Sequence, residues 1–114
     1  MKLLILIHRD TAALEAFFGD VRRENLAGFT VLRSSGVGRT SERAPLEFGG
    51  GALLSLLTGS GETGRLENTT ALSFVDDGRL DRVLELLQTH ITDLGKPGGG
   101  LYAVLNVDSS GGLE

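Results

Sequence analysis

A chain of 114 residues and 12.0 kDa has room for one domain with one modest core. Fifteen acidic against eleven basic side chains give a formal net charge of −4, and no run of Lys or Arg exceeds the pair Arg22-Arg23, which argues against a duplex nucleic-acid partner. Zero cysteines exclude disulfides, thiolate metal sites and cysteine nucleophiles, while 17 glycines against 2 prolines, with no collagen-like period, require a local reason.

Leu3 to Ile7 is a continuous apolar run bounded by charge, the pattern of a strand covered on both faces, and too short for a secretory or membrane segment. Asp10 or Thr11 then caps a helix whose stripe is Leu14, Phe17, Phe18 and Val21, and Gly28 stops it. Phe29 to Arg33 reads as a second strand. The stretch 36–67 holds eight glycines and one apolar patch, Ala52 to Leu57, and reads as a long mobile connection. Thr69 to Val75 is a third strand, and Asp77 caps a second helix with the stripe Leu80, Val83, Leu84, Leu87 and Ile91. Gly95 and Pro97 close that helix, Leu101 to Val107 is a fourth strand, and 108–114 is a short polar tail.

The order βαββαβ predicts an α+β domain over 1–114: a ferredoxin-like sandwich with a four-stranded antiparallel sheet, both helices on one face, and a long loop between strands two and three. The strands hardly alternate, so the sheet's second face is apolar too. A monomer rarely exposes such a face, and several subunits are expected to pack their sheets together.

Gly59-Ser60-Gly61-Glu62-Thr63-Gly64 matches G-x-G-x-x-G literally but leads into a strand rather than a helix, so it reads as a loop. His8, Asp10, Ser34 and Ser35 would allow a triad on paper, yet no nucleophile elbow accompanies them, and the simpler reading is a solvated strand terminus. Two imidazoles, His8 and His90, are too few for a histidine-rich metal site, and no catalytic residue is assigned. Two glycine clusters flank strand ends: Gly36-Val37-Gly38-Arg39 leaves strand two, and Gly95-Lys96-Pro97-Gly98-Gly99-Gly100 approaches strand four. Glycine backbone N–H groups beside one Arg and one Lys suit a phosphate; the alternative is that both clusters are plain turns.

Those clusters, with Gly28-Phe29-Thr30-Val31 and Val75-Asp76-Asp77 in the same order and similar spacing, resemble the PII signal-transduction family, and the divergent PII-like proteins above all. The resemblance implies a non-catalytic cytoplasmic regulator, in a family associated with nitrogen regulation, that forms a homotrimer with its sheets facing the centre. It implies an adenine nucleotide (ATP, ADP or AMP) or a related small effector in clefts between subunits, with no other cofactor, and a transporter or enzyme as the regulated partner. By position, Ile7, Thr30, Gly36, Val37, Gly38, Arg39, Phe74, Lys96 and Gly98 to Gly100 would line or flank that cleft. This chain departs from the family in having Leu101 where a basic residue follows the glycines, no arginine after strand four, and no tyrosine in the long loop. Two other readings remain: a structural or metal-responsive ferredoxin-like trimer without a nucleotide site, and a small enzyme of the dimeric ferredoxin-like barrel type.

Overall fold

A computed structural model describes residues 1–36 and 66–113. Four strands and two helices follow in the order β1 (Lys2–His8), α1 (Thr11–Arg23), β2 (Thr30–Gly36), β3 (Leu66–Val75), α2 (Leu80–His90) and β4 (Leu101–Asn106). The sheet runs β2-β3-β1-β4, every neighbouring pair antiparallel, so each helix links two strands that are separated by a third. This α+β arrangement is compatible with a ferredoxin-like fold.

Register divides the apolar strands between two faces, because residues directly opposite one another share a face and alternate along each strand. Leu4 and Leu6 on β1 and Ala71 and Val75 on β3 form the buried floor on which Leu14, Phe17 and Val21 of α1 and Val83, Leu86, Leu87 and Ile91 of α2 pack. Phe17, Phe18 and Phe29 meet with ring centroids 4.5–5.8 Å apart, which ties the lead-in to β2 into the core. Ser73, buried in the same floor, is satisfied by donating to the Gly28 carbonyl at 2.6 Å.

Asp10, one of the two caps expected, is the α1 N-cap and accepts from the Ala13 N–H at 3.1 Å. Other boundaries differ from the sequence expectation. The helix ends at Arg23, not near Gly28: Asn25 takes the left-handed conformation (φ 56°), with Leu26 N–H bonded to the Val21 carbonyl and Asn25 N–H to that of Arg22. That pattern is a Schellman stop with Asn in the place usually held by Gly. Asp77 does not cap α2. It opens a 3₁₀ turn, Asp77–Arg79, that leads into the helix, and its carboxylate accepts from the Met1 ammonium at 2.6 Å. β2 and β3 pair from Thr30↔Leu72 to Gly36↔Leu66, so Gly36, Leu66 and Glu67 belong to strands. The rest of the long connection, including Ala52 to Leu57 and Gly59 to Gly64, lies outside the described residues.

The helices are also joined at the surface. Arg82 of α2 holds both carboxylate oxygens of Glu24 at 2.7 and 2.8 Å, and His90 meets Asp20 at 2.6 Å. No helix among the described residues is long and apolar enough to cross a membrane.

Candidate functional site

On the sheet face away from the helices, the register places Leu3, Ile5 and Ile7 of β1 beside Phe74 and Leu72 of β3 and Leu105, Ala103 and Leu101 of β4. Leu32 of β2 joins them opposite Thr70. Leu32, Phe74 and Leu105 on this face are 49%, 44% and 45% exposed, and Leu113 of the tail approaches it at Phe74, where both line one cavity. One end of the face carries a polar group of residues, where Ser34 and Thr70 hydroxyls meet at 2.8 Å beside Asn68.

At the C-terminal end of β1 the chain builds a compact polar junction. His8 is the last residue of β1, points to the helix side and is only 4% exposed, so it is no solvated terminus. Its Nδ1 accepts the backbone N–H of Asp10 at 2.9 Å, and Nε2 lies 2.8 Å from Asp93 Oδ1. An Nδ1 that accepts fixes the tautomer, so Nε2 carries the hydrogen and donates to the carboxylate. Asp93 is held below the usual carboxylate range chiefly by that bond, with smaller help from the backbone N–H groups of Asp93 and Gly100. His8 therefore meets a carboxylate 85 residues away, while Asp10 contributes its backbone and Ser34 sits on the other face; these residues assemble no triad.

The approach to β4 is two consecutive turns. Lys96 N–H bonds to the Asp93 carbonyl with Gly95 at φ 81°, and Gly99 N–H bonds to the Lys96 carbonyl across Pro97-Gly98, with Gly98 at φ 73°. Proline followed by a positive-φ glycine is what a type II turn requires. The next two glycines are needed for space: a Cβ on Gly99 would lie 2.0 Å from the Asp93 carbonyl oxygen, and one on Gly100 would lie 2.2 Å from His8 Cδ2.

Two exposed cations stand at this junction. Lys96 occupies the turn, and Arg9 reaches over Gly98, its Nη2 3.0 Å from where a Cβ would sit. Neither is in an ion pair among the described residues. Arg9 was not singled out from sequence, because an arginine after a strand carries no signal until the strand's end is known to abut the glycine loop.

The residues predicted to share a cleft divide into groups within one chain. Ile7 and Gly98 to Gly100 come together, since the Ile7 carbonyl is 3.0 Å from the Cβ position of Gly100. Gly36 closes β2 at the same end of the strands but on the opposite edge of the sheet from β4, close against Asn68. Phe74 pairs with Leu3 at the opposite end of the strands, about 13 Å along β1 from Ile7 at roughly 3.3 Å per residue. Thr30 sits two strands from β1 opposite Leu72. Phe74 instead lines a cavity of about 330 Å³ with Leu26, Ala27, Asp76 and Arg79. Val37, Gly38 and Arg39 lie outside the described residues. No cluster of three or more His, Asp or Glu suited to a metal ion occurs among the described residues.

The depressed carboxyls set the direction of the acid response. Asp93 is lowered by His8, Asp20 by His90 and then Arg23, and Glu24 by Arg82. Each contributes stability that is complete above the unfolded carboxyl values near about 4 and lost as pH falls through the lower folded values. The part of the urea midpoint owed to these carboxylates should be lost below about pH 4, and Asp93→Ala should make that drop shallower. A midpoint that rises on acidification would contradict these assignments.

No protein-family model matches the chain, and no curated protein sequence does either.

Proposed function

We propose that the chain is one subunit of a PII-like homotrimer, a non-catalytic regulator that binds an adenine nucleotide or a related small effector between subunits. In this reading the domain is ferredoxin-like throughout, the long connection after Gly36 engages a regulated transporter or enzyme, and the protein works in the cytoplasm, in keeping with its lack of cysteine. The observation that carries the proposal is the apolar sheet face turned away from the helices, on which Leu32, Phe74 and Leu105 are exposed among the described residues. Its central residues, Leu3, Ile5, Leu72 and Ala103, are as apolar as a core and call for other copies as cover.

A second copy also accounts for the separation of the candidate cleft residues. Phe74 and Thr30 cannot reach Gly98 to Gly100 of their own chain, but the same residues of a neighbouring copy can meet that loop in an assembly. Arg9 and Lys96 then supply part of the positive charge that Leu101 and the arginine-free tail withhold. Calorimetric titration of the intact chain with ATP, ADP, AMP and cyclic AMP tests the proposal, and absence of heat from all four would remove the nucleotide. Arg9→Ala should weaken binding about tenfold, the scale of one charge-assisted contact, with the oligomer unchanged. Unaltered affinity would place the phosphate elsewhere.

One observation favours the structural trimer without a nucleotide. The Asp93 carboxylate already engages Gly100 and His8 at the loop where phosphate would bind, and Gly98, Gly99 and Gly100 each have a conformational or packing reason to be glycine. A three-chain particle that gives no heat with any nucleotide would select that reading.

A further inference from the structure

We propose that His8 is a proton-operated latch that ties the start of α1 to the loop 93–100 and loosens when its imidazole takes a second proton. The latch needs no nucleotide and lies wholly within the described residues.

The geometry assigns a separate task to each ring nitrogen. Nδ1 accepts from the Asp10 N–H, the backbone of the residue that caps α1, and Nε2–H donates to Asp93, the residue that opens the double turn before β4. The third contact is steric, for the Cδ2 edge of the ring lies against Gly100, where no side chain fits. One buried imidazole thus touches β1, α1 and the approach to β4 at once.

A proton added at Nδ1 converts its lone pair to N–H. The Asp10 N–H then faces a second donor and loses its acceptor, while Nε2–H keeps its bond to the Asp93 carboxylate as an ion pair. The strained contact is therefore the one to α1. Relief needs the ring to swing about Cβ–Cγ or the Asp10 segment to withdraw, and a swing moves the Cδ2 edge across Gly100. Histidine is suited to this because its charge change falls between about pH 5 and 8.

The groups around the ring are consistent with one dominant partner. Asp93 is the carboxylate in contact, and Asp10 turns its own carboxylate to the Ala13 N–H. Arg9 and Lys96 are exposed at the loop, and Tyr102 of β4 shares the helix side of the sheet opposite Leu6. From β3 the residue opposite His8 is the uncharged Thr69, beyond which Arg33 of β2 is paired with Glu67 at 3.1 Å. His90, the other imidazole, bonds to Asp20 between the helices and serves as an internal control.

Nitrogen-resolved NMR of the labelled intact chain, titrated from about pH 8 to about pH 5, tests the latch. The native chain at the alkaline end should show His8 protonated at Nε2 and bare at Nδ1. On acidification the Asp10 and Gly100 amide resonances should move with the His8 ring in one transition. In His8→Gln those two movements should be lost, while the response around His90 persists. Protonation at Nδ1 at the alkaline end, a His8 ring that gains no proton down to about pH 5, or Asp10 and Gly100 amides that stay still through its transition would each overturn the proposal. Amides that still move in His8→Gln would do the same. The ring measurements use the native chain, so they decide the matter even if the variant does not fold.

Discussion

Gly99→Ala is expected to lower stability by about 3 kcal/mol, the upper end of what overpacking usually costs, and to lower Tm by roughly 10 °C or more. The added Cβ would stand 2.0 Å from the Asp93 carbonyl oxygen and 3.0 Å from that of Lys96. Both neighbours are backbone atoms of the double turn, so no side chain can step aside. Gly28→Ala is the contrast, because nothing lies within 4 Å of its Cβ position and no left-handed φ is involved. That variant should be neutral or gain a few tenths of a kcal/mol through the unfolded chain, at most about 1. Thermal unfolding of the two variants beside the parent decides the matter: a Gly99→Ala protein as stable as Gly28→Ala would mean that the turns before β4 are not packed as described.

Phe17→Ala should cost about 3–5 kcal/mol, a large part of the stability of an ordinary small domain. Phe17 is fully buried and touches the rings of Phe18 and Phe29, so its loss opens a cavity and frees the segment leading into β2. Phe74→Ala separates local packing from assembly. At 44% exposure in a single chain, Phe74 should matter little to a monomer, whereas beneath a neighbouring subunit its truncation should cost as much as a core residue. Urea unfolding at two protein concentrations reads both effects. A Phe17 variant with an unchanged midpoint would contradict the core described here.

The elements with strong periodic signals were legible in the sequence. Leu14, Phe17 and Val21 repeat at helical spacing and are buried as a stripe, and the β1 run does form the second strand from the β4 edge, with the two faces taking alternate residues. The C-terminal half of β2 was not legible. Ser34-Ser35-Gly36 carries no apolar pattern and is held as a strand by pairing with Asn68, Glu67 and Leu66, a partner that a local reading does not see. The end of α1 was misplaced for a similar reason, since Asn25 can adopt the left-handed turn usually left to glycine.

The candidate site divides along the same line. The glycines of 98–100 stood out by composition, and their proximity to Ile7 followed from the order of elements. His8–Asp93 did not, because it joins residues 85 positions apart and depends on where β1 ends relative to the double turn. The separation of Phe74 from Gly100 could be seen only once the β1–β3 and β1–β4 registers were fixed. Arg9 became a candidate by the same route.

If other copies of the chain cover the apolar sheet face, the particle mass in dilute solution, read by light scattering coupled to size exclusion, should be three times the 12.0 kDa of one chain. Ile5→Glu, which places a charge at the centre of the face, should reduce it to that of a single chain. A parent protein that runs as a monomer or a dimer would contradict that assembly.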